Sequence, residues 1–336
     1  MQSIQLCLWT VIALVLAALI FDFMNGFHDA TNSIATVIST GVLKPQQAVA
    51  FASILNVIAY FIFHLRVART IGSGTINPSI VDQYILFGAL IGAICWNIIT
   101  WRYGIPSSSS HALVGGLVGP AIAKAGWSSL NINSLLKTIG FIFISPLLGF
   151  VLSSLCMLSV SWFYFRTAPN KVNLRFRRLQ LLSAGFYSLG HGGNDAQKTI
   201  GIIWMILVAT GYASSGLNTP PAWVIPTCYA AMGLGTLSGG WRIVRTMGNK
   251  LTKLRPVGGF CAEMGGAVTL FIASFLGIPV STTHTITGGI IGVGATQKLS
   301  AVRWSVVRKI LWAWVLTIPA SALIAISWWW IAKKIL

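Results

Sequence analysis

Apolar runs of about 20 residues follow one another almost end to end along this chain, the pattern that membrane-spanning helices require. They occupy residues 4–21, 25–42, 46–65, 83–101, 104–124, 138–165, 180–209, 222–240, 257–277, 279–296 and 306–332. Two stretches are irregular. Residues 4–42 are too long for one span and carry Asp22, Asn25, His28, Asp29 and Asn32 in their middle, so a break is expected there. Residues 180–209 pose the same problem around Gly190–Lys198. Broken backbone persists at membrane depth only where it faces protein or a wet cavity.

The polar positions recur. Gly104–Gly119 reads GIPSSSSHALVGGLVG and Gly277–Gly292 reads GIPVSTTHTITGGIIG, with eight of sixteen positions identical. Ser109 and Ser110 are matched by Thr282 and Thr283. Gly26-Phe27-His28-Asp29-Ala30 corresponds in the same way to Gly192-Gly193-Asn194-Asp195-Ala196. Two colinear correspondences at similar spacing indicate an internal duplication. The basic stretch 166–178 (RTAPNKVNLRFRR) lies between the copies. The expected organisation is a first transmembrane repeat over 1–165, a basic cytoplasmic linker over 166–178 and a second repeat over 179–336.

Composition sharpens the class. The chain has 336 residues, 55% hydrophobic and 8% charged, with mean hydropathy +0.78. Soluble domains are nearer a quarter charged. The expected fold is an all-α polytopic membrane protein of 10–12 segments, with about five spans per repeat plus re-entrant or broken helices. The start, MQSIQLCLWTVIALVLAALIFDFM, lacks a basic leader and a cleavage site and reads as a first membrane segment. The five cysteines form no CxxC pair, so neither a structural metal nor a redox motif is indicated.

The formal net charge of +18 sits mostly in short loops, where it sets orientation rather than binding nucleic acid. With 166–178 in the cytoplasm and five crossings per half, sixteen Lys and Arg fall inside and six outside, while Lys198 stays within the membrane. An odd number of crossings makes the repeats inverted, as in many secondary transporters, and puts both termini outside. Trp328-Trp329-Trp330 before Lys333-Lys334 reads as an interfacial anchor.

Only five acidic residues exist, and Asp22, Asp29, Asp195 and Glu263 fall in or at the edge of apolar segments. An intramembrane carboxylate costs roughly 2.5–3.5 kcal/mol on insertion scales and usually serves an ion, a proton or a substrate. Asp29 and Asp195 are paired across the repeats; Ser188 stands opposite Asp22 and Leu90 opposite Glu263. Lys198, three residues after Asp195, either pairs with it or holds a positive charge for an anion. Pro106 and Pro279 suit the first turn of a helix. The hydroxyls after them (Ser108, Ser109, Ser110; Ser281, Thr282, Thr283) then crowd free N–H groups at a positive dipole end, an anion-binding arrangement. The alternative is close helix packing by small residues, which suits the pairs Gly115-Gly116 and Gly288-Gly289. His111 and His284 can bond the anion, shuttle protons or cap a turn; His28 and His191 sit in the other motif. No GxSxG, HExxH or P-loop occurs, so an enzyme is not expected.

At residues 25–40 (NGFHDATNSIATVIST), 190–203 (GHGGNDAQKTIGII), the two Gly-Ile-Pro motifs and Ala262-Glu263, the chain resembles the PiT family of inorganic phosphate transporters, over essentially its whole length. His28 stands where the commonest form has Asn, which Asn194 keeps. The Asp-Ala-Gln-Lys form looks like the bacterial branch, implying a multi-pass protein of the bacterial inner membrane. The resemblance implies phosphate symport by alternating access. Asn32 and Asn194 would join Asp29 and Asp195 in lining the ion and phosphate sites, and Ser108–Ser110 and Ser281–Thr283 would contact phosphate oxygens, with Lys198, His111 and His284. Asp22, Asn25, Asp29, Asp195 and Glu263 are the candidates for the coupling ion, H+ or Na+, with Asp29 and Asp195 as metal ligands if sodium is coupled. No cofactor beyond that cation is expected. The partners are phosphate, free or as metal–phosphate, and the lipid bilayer; a homodimer is compatible. Sulfate permease and anion channel are the alternative readings.

Overall fold

The computed structural model describes residues 7–213 and 219–335; residues 4–6 of the first predicted run and both terminal residues lie outside them. Twelve α-helices and no β-strand occur among the described residues. They are α1 (Leu8–Ser39), α2 (Pro45–Ile58), α3 (Arg66–Gly74), α4 (Gln83–Tyr103), α5 (Ser109–Ala125), α6 (Ile132–Phe163), α7 (Pro169–Ala209), α8 (Val224–Ser238), α9 (Trp241–Asn249), α10 (Pro256–Phe275), α11 (Thr282–Gln297) and α12 (Trp304–Ile335). Helices α1, α4, α6, α10 and α12 are each long and apolar enough to cross a membrane. Helices α2 and α3 together make a further candidate, bent by 84° at the break between them. Helix α7 has 41 residues, and Pro169 opens it inside the basic stretch expected as a linker.

The breaks do not fall where the polar residues of α1 and α7 suggested. Helix α1 runs unbroken through Asp22–Asn32, and α7 runs unbroken through Gly190–Lys198. The reason is that a helix satisfies its own backbone; only the polar side chains need partners, and other helices supply them. The glycines that weaken α7 locally serve close packing: a Cβ on Gly192 would lie 2.5 Å from the Asn56 carbonyl oxygen of α2. The chain breaks instead between α4 and α5, and between α10 and α11. Gly104 (φ +63°) and Gly277 (φ +70°) take the left-handed conformation that ends the preceding helix.

Packing is reciprocal. Helix α6 lies along α10 and α11, while α12 lies along α4 and α5; α1 packs on α8, and α7 on α2. The two repeated glycine pairs sit in these contacts: Cβ atoms on Gly115 and Gly288 would come within 2.4 and 2.1 Å of the Ile318 and Pro146 carbonyl oxygens. Trp329 is buried, and Gly88 of α4 lies beneath it, so the C-terminal Trp run is part packing contact and part surface. Leu147, Leu155 and Leu158 on α6 and Leu316 and Leu323 on α12 are exposed, as lipid contact requires.

Two apolar clusters make up the core. One takes Val11–Phe21 of α1 and Ala196–Leu207 of α7; the other takes Ala30–Val37 of α1 and Ala184 and Tyr187 of α7. The polar residues of both long helices, 22–29 and 188–195, lie in the layer between them.

Candidate functional site

Each break ends in a serine cap. Ser108 and Ser281 are the N-caps of α5 and α11, and their hydroxyls accept from the backbone N–H of His111 and His284, both at 3.2 Å. That is the bond an N-cap hydroxyl makes to the third helical residue. Pro106 and Pro279 therefore stand two residues ahead of the caps, in the connecting turns, not in the first turn as the sequence suggested. The next hydroxyls, Ser109, Ser110, Thr282 and Thr283, occupy the first turns, where N–H groups have no intrahelical acceptor.

The long helices deliver their acids to those hydroxyls. The Ser109 hydroxyl donates to Asp29 Oδ2 at 2.7 Å and lies 2.5 Å from Asn25 Oδ1. The Thr283 hydroxyl donates to Asp29 Oδ1 at 3.3 Å, and the Thr282 hydroxyl to Asp195 Oδ2 at 3.1 Å. Asn32 Nδ2 donates to both threonines, at 3.2 and 3.0 Å. Lys198 Nζ donates to Asp195 Oδ1 at 2.5 Å, to the Val280 carbonyl at 2.8 Å and to the Ser110 hydroxyl. Asp29 thus reaches hydroxyls of both breaks, while the Lys198–Asp195 pair binds one from each. All these side chains are buried. Lys198 is paired with Asp195, and the same ammonium also reaches the Ser110 hydroxyl at the start of α5.

One atom each from Asp29, His191 and Asp195 lie within 4.8 Å of one another, a set able to hold a cation. His191 Nε2 is 3.3 Å from Asp195 Oδ2, and His28 Nδ1 is 2.7 Å from Asp29 Oδ1. The cluster carries two carboxylates against one ammonium, so with neutral histidines it has one negative charge in excess.

Other predicted residues lie elsewhere. Asn194 does not enter the cluster: its amide braces the second break, donating to the Ser274 hydroxyl at 3.1 Å and accepting from Val280 N at 3.3 Å. His28 braces the first through Thr100 at 3.1 Å. His111 and His284 pack ring against ring, centroids 4.6 Å apart, and His284 stacks on Trp314 at 3.7 Å. Glu263 sits apart, receiving Gln180 Nε2 at 3.0 Å and the Ser183 hydroxyl at 2.5 Å. Asp22 also sits apart, two helical turns before Asp29.

One element escaped the sequence reading. Arg66–Gly72 (RVARTIG) and Arg242–Gly248 (RIVRTMG) are a third repeat, and they form α3 and α9. Each clamps the break of the other half. Arg242 donates to the Arg102 carbonyl at 2.7 Å and Thr246 to the Gly104 carbonyl at 2.9 Å. Arg66 donates to the Phe275 carbonyl at 2.5 Å and Thr70 to the Gly277 carbonyl at 2.6 Å. These carbonyls end α4 and α10, which lack further intrahelical donors. The signal was the shared Arg-x-x-Arg-Thr-x-Gly pattern, which counting loop charges obscured.

Buried acids and hydroxyls between long apolar helices form the kind of polar layer that membrane transport proteins use for ions and substrates. The chain belongs to the phosphate transporter family, whose model matches residues 25–325. It is 59% identical over 94% of its length, and 94% of the relative's, to a probable low-affinity inorganic phosphate transporter of Rhizobium meliloti. The figure is 44% over 93% of both chains for a protein of the same description from Bacillus subtilis. Among solved structures, one titled "The sodium-dependent phosphate transporter" superposes with a TM-score of 0.90 at 24% identity, covering 98% of this chain and 100% of that one; at that identity the match speaks to the fold.

Proposed function

We propose that the chain is a secondary active symporter that imports inorganic phosphate with a coupling cation, H+ or Na+, by alternating access between two inverted repeats, residues 1–165 and 179–336. The observation that carries this reading is that Asp29 and Asp195 share the hydroxyls at the starts of α5 and α11. A tetrahedral oxyanion needs many convergent donors. Ser109, Ser110, Thr282, Thr283, the first-turn N–H groups and Lys198 supply them.

The same donors stand beside two carboxylates, and that makes the transport coupled. A carboxylate about 4 Å from an anion opposes it by about 4 kcal/mol at an effective dielectric of 20. That is close to a thousandfold in affinity. A cation held by Asp29, His191 and Asp195 removes the penalty, so anion and cation bind together or hardly at all. Phosphate fits better than sulfate: its remaining O–H can donate to Asp29 or Asp195, whereas sulfate has none at neutral pH. The names of the relatives point the same way. The inverted arrangement is supported by the exchange of contacts between the halves, in which α6 lies on α10 and α11 as α12 lies on α4 and α5.

The test is uptake of labelled phosphate into proteoliposomes under imposed sodium or proton gradients, with sulfate as competitor. Accumulation above equilibrium under one gradient, undiminished by equimolar sulfate, is expected. Absence of accumulation under both gradients would refute the reading.

A further inference from the structure

Asp22 stands outside the shared cluster. It lies seven residues, two turns or about 10 Å, before Asp29 on α1, and it is fully buried. Neither carboxylate oxygen has a hydrogen-bond partner of ordinary geometry, and only Thr199 and Asn25 come within looser reach of the carboxylate. Two other oxygens of the neighbourhood share that condition: the Thr199 hydroxyl of α7 and the Tyr229 hydroxyl of α8, both on buried residues. Thr199 and Asn25 face the Asp22 carboxyl, and Tyr229 and Cys228 are close enough to feel its charge. Buried oxygens that converge without well-formed hydrogen bonds are unusual, because each forgoes part of a bond worth about 1–3 kcal/mol. Oxygens around a hard cation are held in that way: each points at the ion, and the ion keeps them apart.

The charge balance argues similarly. The nearest cation is Lys198, which is already bound by Asp195, Ser110 and the Val280 carbonyl. From α7 the charged groups acting on Asp22 are Asp195 and Lys198; from α8 the titratable ones are Cys228 and Tyr229. None offers Asp22 a hydrogen-bonded positive partner, and an ionised carboxylate left unpaired in an apolar layer is strongly unfavourable. The position opposite, Ser188, is different: its hydroxyl is satisfied by the Ala184 carbonyl at 2.8 Å. Whatever occupies Asp22 therefore has no twin in the other half.

We propose that Asp22, with Thr199 and Tyr229, forms a second monovalent-cation site, present once per chain and joined to the Asp29–Asp195 cluster through Asn25. The ligand is a single positive charge held by carboxylate and hydroxyl oxygens, carried as Na+ or as H+. The inference rests on the transport reading above. It assigns the cations to unequal places: one kind of position is shared by the repeats, and this one belongs to the first repeat alone.

The experiment measures two quantities on purified full-length protein, wild type and Asp22→Asn, with Ser188→Ala as the symmetry control. The first is the number of cations moved per phosphate, read from the reversal potential of labelled phosphate flux in proteoliposomes. One fewer is expected in Asp22→Asn and no change in Ser188→Ala. The second is thermal stability in phosphate-free detergent, titrated with NaCl at fixed pH and, separately, with pH in choline buffer. A sodium-dependent rise in wild type that shrinks in Asp22→Asn identifies Na+; a pH-dependent difference between the two in choline identifies H+. Thr199→Val is expected to raise the half-saturating cation concentration severalfold while leaving the count per phosphate intact. An unchanged flux ratio in Asp22→Asn overturns the proposal. If Asp22→Asn carries no flux, identical cation titrations for it and wild type overturn it instead. Wild-type liposomes without coupled phosphate flux would count against the transport reading, a result distinct from either.

Discussion

Replacing Lys198 by methionine tests the electrostatics of the shared site most directly. The ammonium is buried at 2% exposure and is held by Asp195 Oδ1 at 2.5 Å and the Val280 carbonyl at 2.8 Å. Methionine keeps most of the volume and removes the charge. Asp195 then retains only the Thr282 hydroxyl at 3.1 Å and His191 at 3.3 Å. Removing one partner of a buried ion pair costs about 3–5 kcal/mol, because the charge left behind is uncompensated. For a chain of this size that lowers the unfolding midpoint by about 4–7 °C. In the double variant Lys198→Met, Asp195→Asn no bare charge remains, so part of the loss should return, about 1–3 kcal/mol as a coupling energy. Thermal unfolding in detergent, followed by the fluorescence of the 14 tryptophans, measures both. The reasoning is wrong if Lys198→Met unfolds within about 2 °C of wild type, or if the double variant is no more stable than the single one.

Three further outcomes follow from the geometry. Asp29→Asn and Asp195→Asn should each abolish cation-driven phosphate uptake while the protein still reaches the membrane folded; normal uptake by both would remove these acids from the site. Gly104→Ala and Gly277→Ala place a side chain at φ +63° and +70°, where a non-glycine residue costs about 1–2 kcal/mol, and each should lower the unfolding midpoint by a few degrees. Thr70→Val and Thr246→Val each delete a hydroxyl that caps a helix-ending carbonyl; a loss of about 1 kcal/mol is expected, similar for the two and additive in the double variant.

The class of the fold, the duplication and the residues of the shared cluster were legible in the sequence, because each left a repeated pattern. Asp29 and Asp195 stood out as paired intramembrane acids, and the two hydroxyl runs stood out by their duplication. The location of the breaks was not legible. Polar residues inside an apolar run look like an interruption, yet α1 and α7 stay helical because their partners are side chains such as Ser109 and Thr282, many residues away. Those partners form only in three dimensions. The orientation of Asn194 was not legible for the same reason: its signature neighbours Asp195, but its amide turns toward Ser274 and Val280. The Arg-Thr clamps were visible as a repeat, but a basic residue near a membrane edge reads first as a topology signal, and that reading hid their structural part.

The clamps carry a consequence for how the protein is made. The carbonyl of Arg102, at the end of α4, receives its donor from Arg242, 140 residues further along the chain. At a synthesis rate of about 5–20 residues per second, the end of α4 waits about 7–30 s for its partner to leave the ribosome. During that interval the Arg102 carbonyl lacks the donor that the second half supplies and bonds water at its exposed edge instead. The clamp on α4 therefore closes only after the second half has been made. Variants at Arg242 or Thr246 would leave the end of α4 unclamped for good, and are expected to lower the yield in the membrane.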